Sequence, residues 1–231
     1  MKKIFLALPL FALAIIGCEK ENVTETADNE SPKVETRAGE FVNPYEWCGV
    51  AHNAGVQHLL DVESRDYDDL VDYLAVYFDM EVANFPLYYE IEGGISMILD
   101  PEEDYIASLS LGTAIMDVFD SMDDILSTSA DISNDFDDLA ETIYLSETYS
   151  SNDKISLLGS IAVAKYSNIL WSDDEDLDIA EKNGVVKADW KGFWSGWRGG
   201  TFPHKNMWGI ASGCKASDDK RDEISLEIIP D

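Results

Sequence analysis

The chain has 231 residues, with 46 Asp and Glu against 16 Lys and Arg and a formal net charge of −30. A body this acidic repels phosphate backbones and anionic head groups, which all but excludes nucleic acid as a partner and argues against broad electrostatic docking on lipid. The length is enough for one sizeable core or two small ones.

Met1-Lys2-Lys3 forms a positive n-region, and Ile4 to Ile16 is an unbroken apolar run containing one proline. At about 1.5 Å per helical residue, that run falls short of the roughly 30 Å hydrocarbon core, so residues 1–17 are expected to be a signal peptide and not a span. Ile15-Ile16-Gly17-Cys18 resembles the lipobox of bacterial lipoproteins. The resemblance implies cleavage before Cys18 and acylation of that cysteine, palmitate included, with the bilayer as partner through the acyl anchor. No later apolar run is long enough to span a membrane, and several acyl chains on one cysteine hold a soluble domain stably at about 0.8 kcal/mol per buried methylene. Loss of Lys2 and Lys3 with the signal takes the net charge from −30 to −32.

Residues 18–40 are polar, rich in Glu, Thr, Asn and Ser, and are expected to be a disordered tether. The opening Glu19-Lys20-Glu21 resembles the acidic segments that follow the cysteine in lipoproteins sent to the cell surface in Bacteroides-type bacteria, which implies an outer-membrane location open to the surface. Residues 41–231 are expected to form a single helical domain. Asn43-Pro44-Tyr45-Glu46 offers an N-cap, a proline at N1 and a Glu at N3, and Asp100-Pro101-Glu102-Glu103 repeats the device. Leu70, Tyr73, Leu74, Tyr77 and Phe78 form one apolar helical face opposite Asp68, Asp69, Asp72 and Asp79. The stretch 87–99 reads as either a short hairpin around Glu92-Gly93-Gly94 or a glycine-weakened helix, and helix is favoured because no partner strands are evident. Phe136, Leu139, Ala140, Ile143 and Tyr144 make a further face. The longest runs through Ile155, Leu158, Gly159, Ala162, Tyr166, Ile169 and Leu170, starting after Ser151 or Asn152 and stopping near Trp171, where Asp173 to Asp176 oppose the helix dipole. The fold class expected is an all-α, irregular multi-helix bundle.

Asn43-Pro44-Tyr45, Gly49, His52-Asn53 and the later Ser160-Ile161-Ala162-Val163-Ala164-Lys165-Tyr166-Ser167 ending in Trp171 resemble uncharacterised helical outer-membrane lipoproteins of Bacteroides-type bacteria. The resemblance covers the first helix and one later helix and implies a surface or periplasmic lipoprotein without supplying an activity. Where related chains carry a Gly/Ala-rich segment near the C-terminus, this chain has Trp190 to Trp208 with several aromatics.

Several groupings bear on chemistry. With Cys18 lipidated, Cys48 and Cys214 are left as a candidate disulfide in an oxidising compartment. Alternatively, Cys48 and His52 stand at i, i+4 near a helix start, the arrangement of a Cys-His hydrolase that would still need an orienting third group. Asn206-Met207-Trp208-Gly209 superficially resembles the Asn-Ser-Trp-Gly segment of papain-like proteases, but that family places its catalytic histidine upstream on a β-rich domain. Cys48, His52, His58, His204 and Cys214 lack zinc-site spacing, and Asp131, Ser133, Asp135 and Asp137 fail as a calcium loop because Phe136 and Thr142 replace the required glycine and glutamate. No metal or cofactor is expected.

Between Arg65 and Lys154 the chain has no Lys or Arg, so its carboxylates must be solvated, paired with the C-terminal third, or neutralised by cations. Lys187 to Trp208 mixes Trp190, Trp194, Trp197 and Trp208 with Lys187, Lys191, Arg198 and Lys205. The preferred reading puts the tryptophans in the bundle core with the cations offsetting the acidic middle. The alternative makes the four tryptophans a contact surface for a protein, glycan or membrane, with an immunity-type or membrane-active role for residues 187–208. The function favoured by the sequence is a lipid-anchored, non-catalytic binding or structural module of the cell envelope.

Overall fold

Apolar spacing near 3.6 residues becomes helix in the computed structural model, which describes residues 41–62, 67–79, 112–200 and 204–227. In chain order these hold α1 (Glu46–Asp61), α2 (Tyr67–Tyr77), α3 (Thr113–Thr128), α4 (Ile132–Leu145), α5 (Ser151–Ser172), α6 (Ile179–Gly199) and α7 (Lys205–Glu227). The described residues contain no strand, and the fold is an all-α multi-helix bundle. The signal segment 1–17, Cys18, the tether 18–40, the stretch 87–99 and the Asp100-Pro101 helix start lie outside the described residues.

Capping chemistry sets most helix starts. Ser150 caps α5 through a reciprocal box with Asp153, one residue before the expected start, and Asp178 caps α6 in the same way with Glu181. Asp131 caps α4 by accepting from the Asn134 amide, which turns the acidic run 131–137 into a helix entry. Asn43 differs from expectation. Its Oδ1 accepts from the Tyr45 amide at 3.0 Å, an Asx turn, while its Nδ2 donates to the Leu158 carbonyl at 2.9 Å. The helix therefore begins at Glu46, and that carboxylate reaches Lys165 at 2.9 Å and the Tyr166 hydroxyl at 3.0 Å instead of closing a capping box.

The centre of the bundle is α5, which packs on α1, α4 and α6. Leu158, Gly159 and Ala162 are buried as the spacing predicts, but so are Leu157, Ile161, Val163 and Ala164, while Ile169 is exposed. A helix enclosed by neighbours on several sides has no single apolar stripe. Two of its buried serines are satisfied locally: Ser160 Oγ donates to the Ser156 carbonyl and Ser156 Oγ to that of Asp153, each at 2.9 Å. Three helices carry no face or start named from the sequence, α3, α6 and α7, although in α3 Ile115, Val118, Met122 and Leu126 form the buried face at helical spacing.

Among the described residues the most extensive helix contact is between α6 and α7. A Cβ on Gly192 would meet Ala216 Cβ at 2.7 Å and the Ser212 carbonyl at 2.8 Å, and one on Gly209 would meet the Phe193 carbonyl at 2.9 Å. Glycine is required there by backbone approach, since any side chain would hold the two helices apart.

Candidate functional site

The groups able to perform acid–base or nucleophilic chemistry converge in the core where α1, α5, α6 and α7 meet. Asp189, on the inner face of α6, has no solvent exposure. Its Oδ2 accepts from the Ser167 hydroxyl and, at 3.3 Å, from Trp171 Nε1, both on α5. Its Oδ1 lies 3.7 Å from Nε2 of His52, a fully buried histidine on α1. The other ring nitrogen, Nδ1, is 3.3 Å from Asn53 Oδ1, and Asn53 Nδ2 donates to the Tyr166 carbonyl at 2.7 Å. On α7, Gly213 lets the imidazole in, because a Cβ there would come within 3.0 Å of His52 Cδ2.

These three residue types are those of a hydrolase triad, but the carboxylate stands between the hydroxyl and the imidazole. In a triad the imidazole is in the middle, taking the proton from serine. Here the Ser167 hydroxyl donates a hydrogen bond to the carboxylate and has no imidazole beside it. The cluster joins three helices by hydrogen bonds in a low-dielectric core, where each satisfied group is strong and each unsatisfied one costly.

The thiols lie beside this cluster and are free. The expected Cys48–Cys214 disulfide is not formed. Cys214 Sγ donates to the His52 carbonyl at 3.3 Å and sits against Gly55. Cys48 is seven residues before Gly55 on α1, about 10 Å back along the axis, whereas a disulfide needs Cα atoms within about 7 Å. Burial pushes both thiols well above their usual range. Cys48 therefore stays protonated at neutral pH, without the thiolate that a Cys-His nucleophile requires.

The tryptophan-rich stretch becomes most of α6. Trp190, Trp194 and Trp197 are buried, which corrects their reading as contacts for a ligand or partner, while Trp208, on α7, is half-buried. Phe119 of α3 packs edge-on against Trp194 and tilted against Trp190, with ring centroids 5.1 and 5.0 Å away. The cations of this region lie over the same rings: Lys191 over Trp190, Arg198 over Trp194 and Lys205 over Trp197, the last at 4.4 Å. Charge pairing with the acidic middle is partial. Lys187 pairs with Asp123, but Asp137 is taken by Lys165 of α5 at 2.7 Å. Arg221 of α7 pairs with Asp174 at 3.4 Å and covers Trp171.

Among the described residues no three His, Cys, Asp or Glu side chains come together as a metal-holding group. His58, considered as a ligand from the sequence, stacks on Tyr73 of α2 at 4.3 Å and 8°. That stack begins a feature the sequence reading missed, a strip of rings on the outer side of α1 and α2. Tyr73 lies 6.2 Å from Tyr77, Tyr77 4.9 Å from Phe78, and Phe78 6.1 Å from Trp47 of α1. The signal was available: Trp47, Val50, Ala54 and His58 share a face opposite Cys48, His52, Gly55 and Leu59. No protein-family model, curated protein or solved structure matches the chain.

Proposed function

We propose that the chain is a lipid-anchored protein of the bacterial outer membrane, acylated at Cys18, whose helical body is a non-catalytic binding or structural module with a protein or glycan partner. The anchoring half rests on the n-region, the short apolar run and Gly17-Cys18. Among the described residues no helix is long and apolar enough to cross a membrane. The observation that carries the non-catalytic half is the burial of the groups able to do such chemistry: Cys48, His52 and Cys214, which the sequence offered, and Asp189, which the fold brings to them, are each 0% exposed. A nucleophile or base must reach a substrate atom within hydrogen-bond distance, and these side chains are enclosed between packed helices.

Metabolic labelling with a palmitate analogue, followed by membrane fractionation, tests the anchor. The wild-type chain is expected to take up label and sediment with membranes, and Cys18→Ala is expected to lose the label and appear in the soluble fraction. A Cys18→Ala protein still held firmly in the membrane would overturn the reading.

A further inference from the structure

The ring strip on α1 and α2 is unlike the other aromatic clusters of this chain. Trp47 is 38% and Tyr77 46% exposed, and Val76 beside them is 83% exposed. In the helices α5 and α6, Trp171, Trp190, Trp194 and Trp197 each lie under a cation of the chain itself. No Lys or Arg among the described residues lies over the strip, and none occurs in 41–62 or 67–79. Carboxylates do border it: Asp72 stands one turn from Val76, Asp79 follows Phe78, and both are exposed. Exposed ring faces flanked by carboxylates present two attractions for the same kind of group, the ring quadrupole and the negative charge, and both favour a cation. An anionic surface would be repelled, and a neutral sugar would leave the carboxylates unused.

We propose that this strip docks a basic segment of a partner protein, with Lys or Arg side chains over Trp47 and Tyr77 and their charge balanced by Asp72 and Asp79. The net charge of −30 steers such a segment towards the body from a distance, and the rings fix where it settles. This inference rests on the binding-module reading and gives that module its partner chemistry.

The probe is fluorescently labelled hexa-arginine, titrated by anisotropy into the full chain in a mild non-ionic detergent, with hexa-glutamate as the control. Saturable binding of hexa-arginine alone is expected. Trp47→Ala/Tyr77→Ala removes no charge, yet it is expected to weaken binding by about tenfold or more. Val76→Arg, which supplies the strip with a cation of its own, is expected to weaken it by roughly fivefold or more. Hydroxyl-radical footprinting is expected to oxidise Trp47 and Tyr77 in the free chain and to show both protected by the peptide. The proposal is overturned by absent saturation, by unchanged affinity in the ring variant, or by protection of both rings in the free chain, which would mean that the chain or a second copy already covers them. Should the double variant fail to fold, Val76→Arg decides, and wild-type affinity there refutes the proposal. Loss of peptide binding with Cys18 labelling intact defeats this inference and leaves the anchored-module reading standing.

Discussion

Gly192→Ala tests the close approach of α6 and α7 most directly. The new methyl would stand 2.7 Å from Ala216 Cβ and 2.8 Å from the Ser212 carbonyl. Neither neighbour can rotate away, since one is a Cβ without a χ angle and the other is helix backbone. Ordinary carbon contact begins near 3.5 Å, so the helices must part by roughly 0.8 Å. Overpacking of this kind costs about 1–3 kcal/mol, offset by up to about 1 kcal/mol from the better helix propensity of alanine. With both neighbours fixed the cost falls at the upper end of that range, so the net loss is about 2 kcal/mol, which for a chain of this size lowers Tm by roughly 4–8 °C. Gly184, earlier on the same helix, supplies the control, because the nearest atom to its added Cβ is Lys220 Cε at 3.6 Å. Gly184→Ala keeps only the propensity gain and is expected to raise Tm by roughly 1–4 °C. Differential scanning calorimetry of the two variants reads the opposite signs. A Gly192→Ala protein melting at or above wild type would show that the helix pair is not closed to a methyl group.

Thiol titration is expected to find Cys48 and Cys214 unreactive in the folded chain and both reactive in denaturant without reductant, whereas reactivity appearing only after reduction would mean a disulfide. Asp189→Ala strands the Ser167 hydroxyl and Trp171 Nε1, and urea denaturation is expected to show a loss of about 3–5 kcal/mol; Asp189→Asn keeps an acceptor and should cost less. Equal losses in the two variants would count against the hydrogen bonds as the cause. Burial, aided by Lys187 and opposed by Asp123, holds the Lys191 ammonium down to about 8. An unfolded lysine titrates at about 10.4, so between those values the unfolded chain binds more protons and this residue makes stability rise with pH. Urea midpoints at alkaline pH should show that rise reduced in Lys191→Met, and the same slope in both proteins would refute the assignment.

What the sequence determined by itself is local. Apolar spacing identified the faces of α2, α4 and α5, Asp173 to Asp176 marked the end of α5, and the absence of strand patterns set the all-α class. The same patterns could not tell which helix would be enclosed, because α5 carries the same short-range periodicity whether one neighbour covers it or three. Tertiary structure decided the rest. Asp189 and His52 lie 137 positions apart in the chain, and only the packing of both α1 and α6 on α7, around Gly213, makes them neighbours. Cys48 and Cys214 form an even pair on paper, yet two helical turns separate Cys48 from the place where Cys214 meets α1. The tryptophans of α6 and the rings of α1 and α2 are similar in composition, and their fates diverge because α6 is covered by α3, α5 and α7 while the outer side of α1 and α2 leaves Trp47 and Tyr77 exposed. Periodicity records which residues share a face. What lies against that face depends on contacts distant in sequence, and those are fixed only when the helices pack.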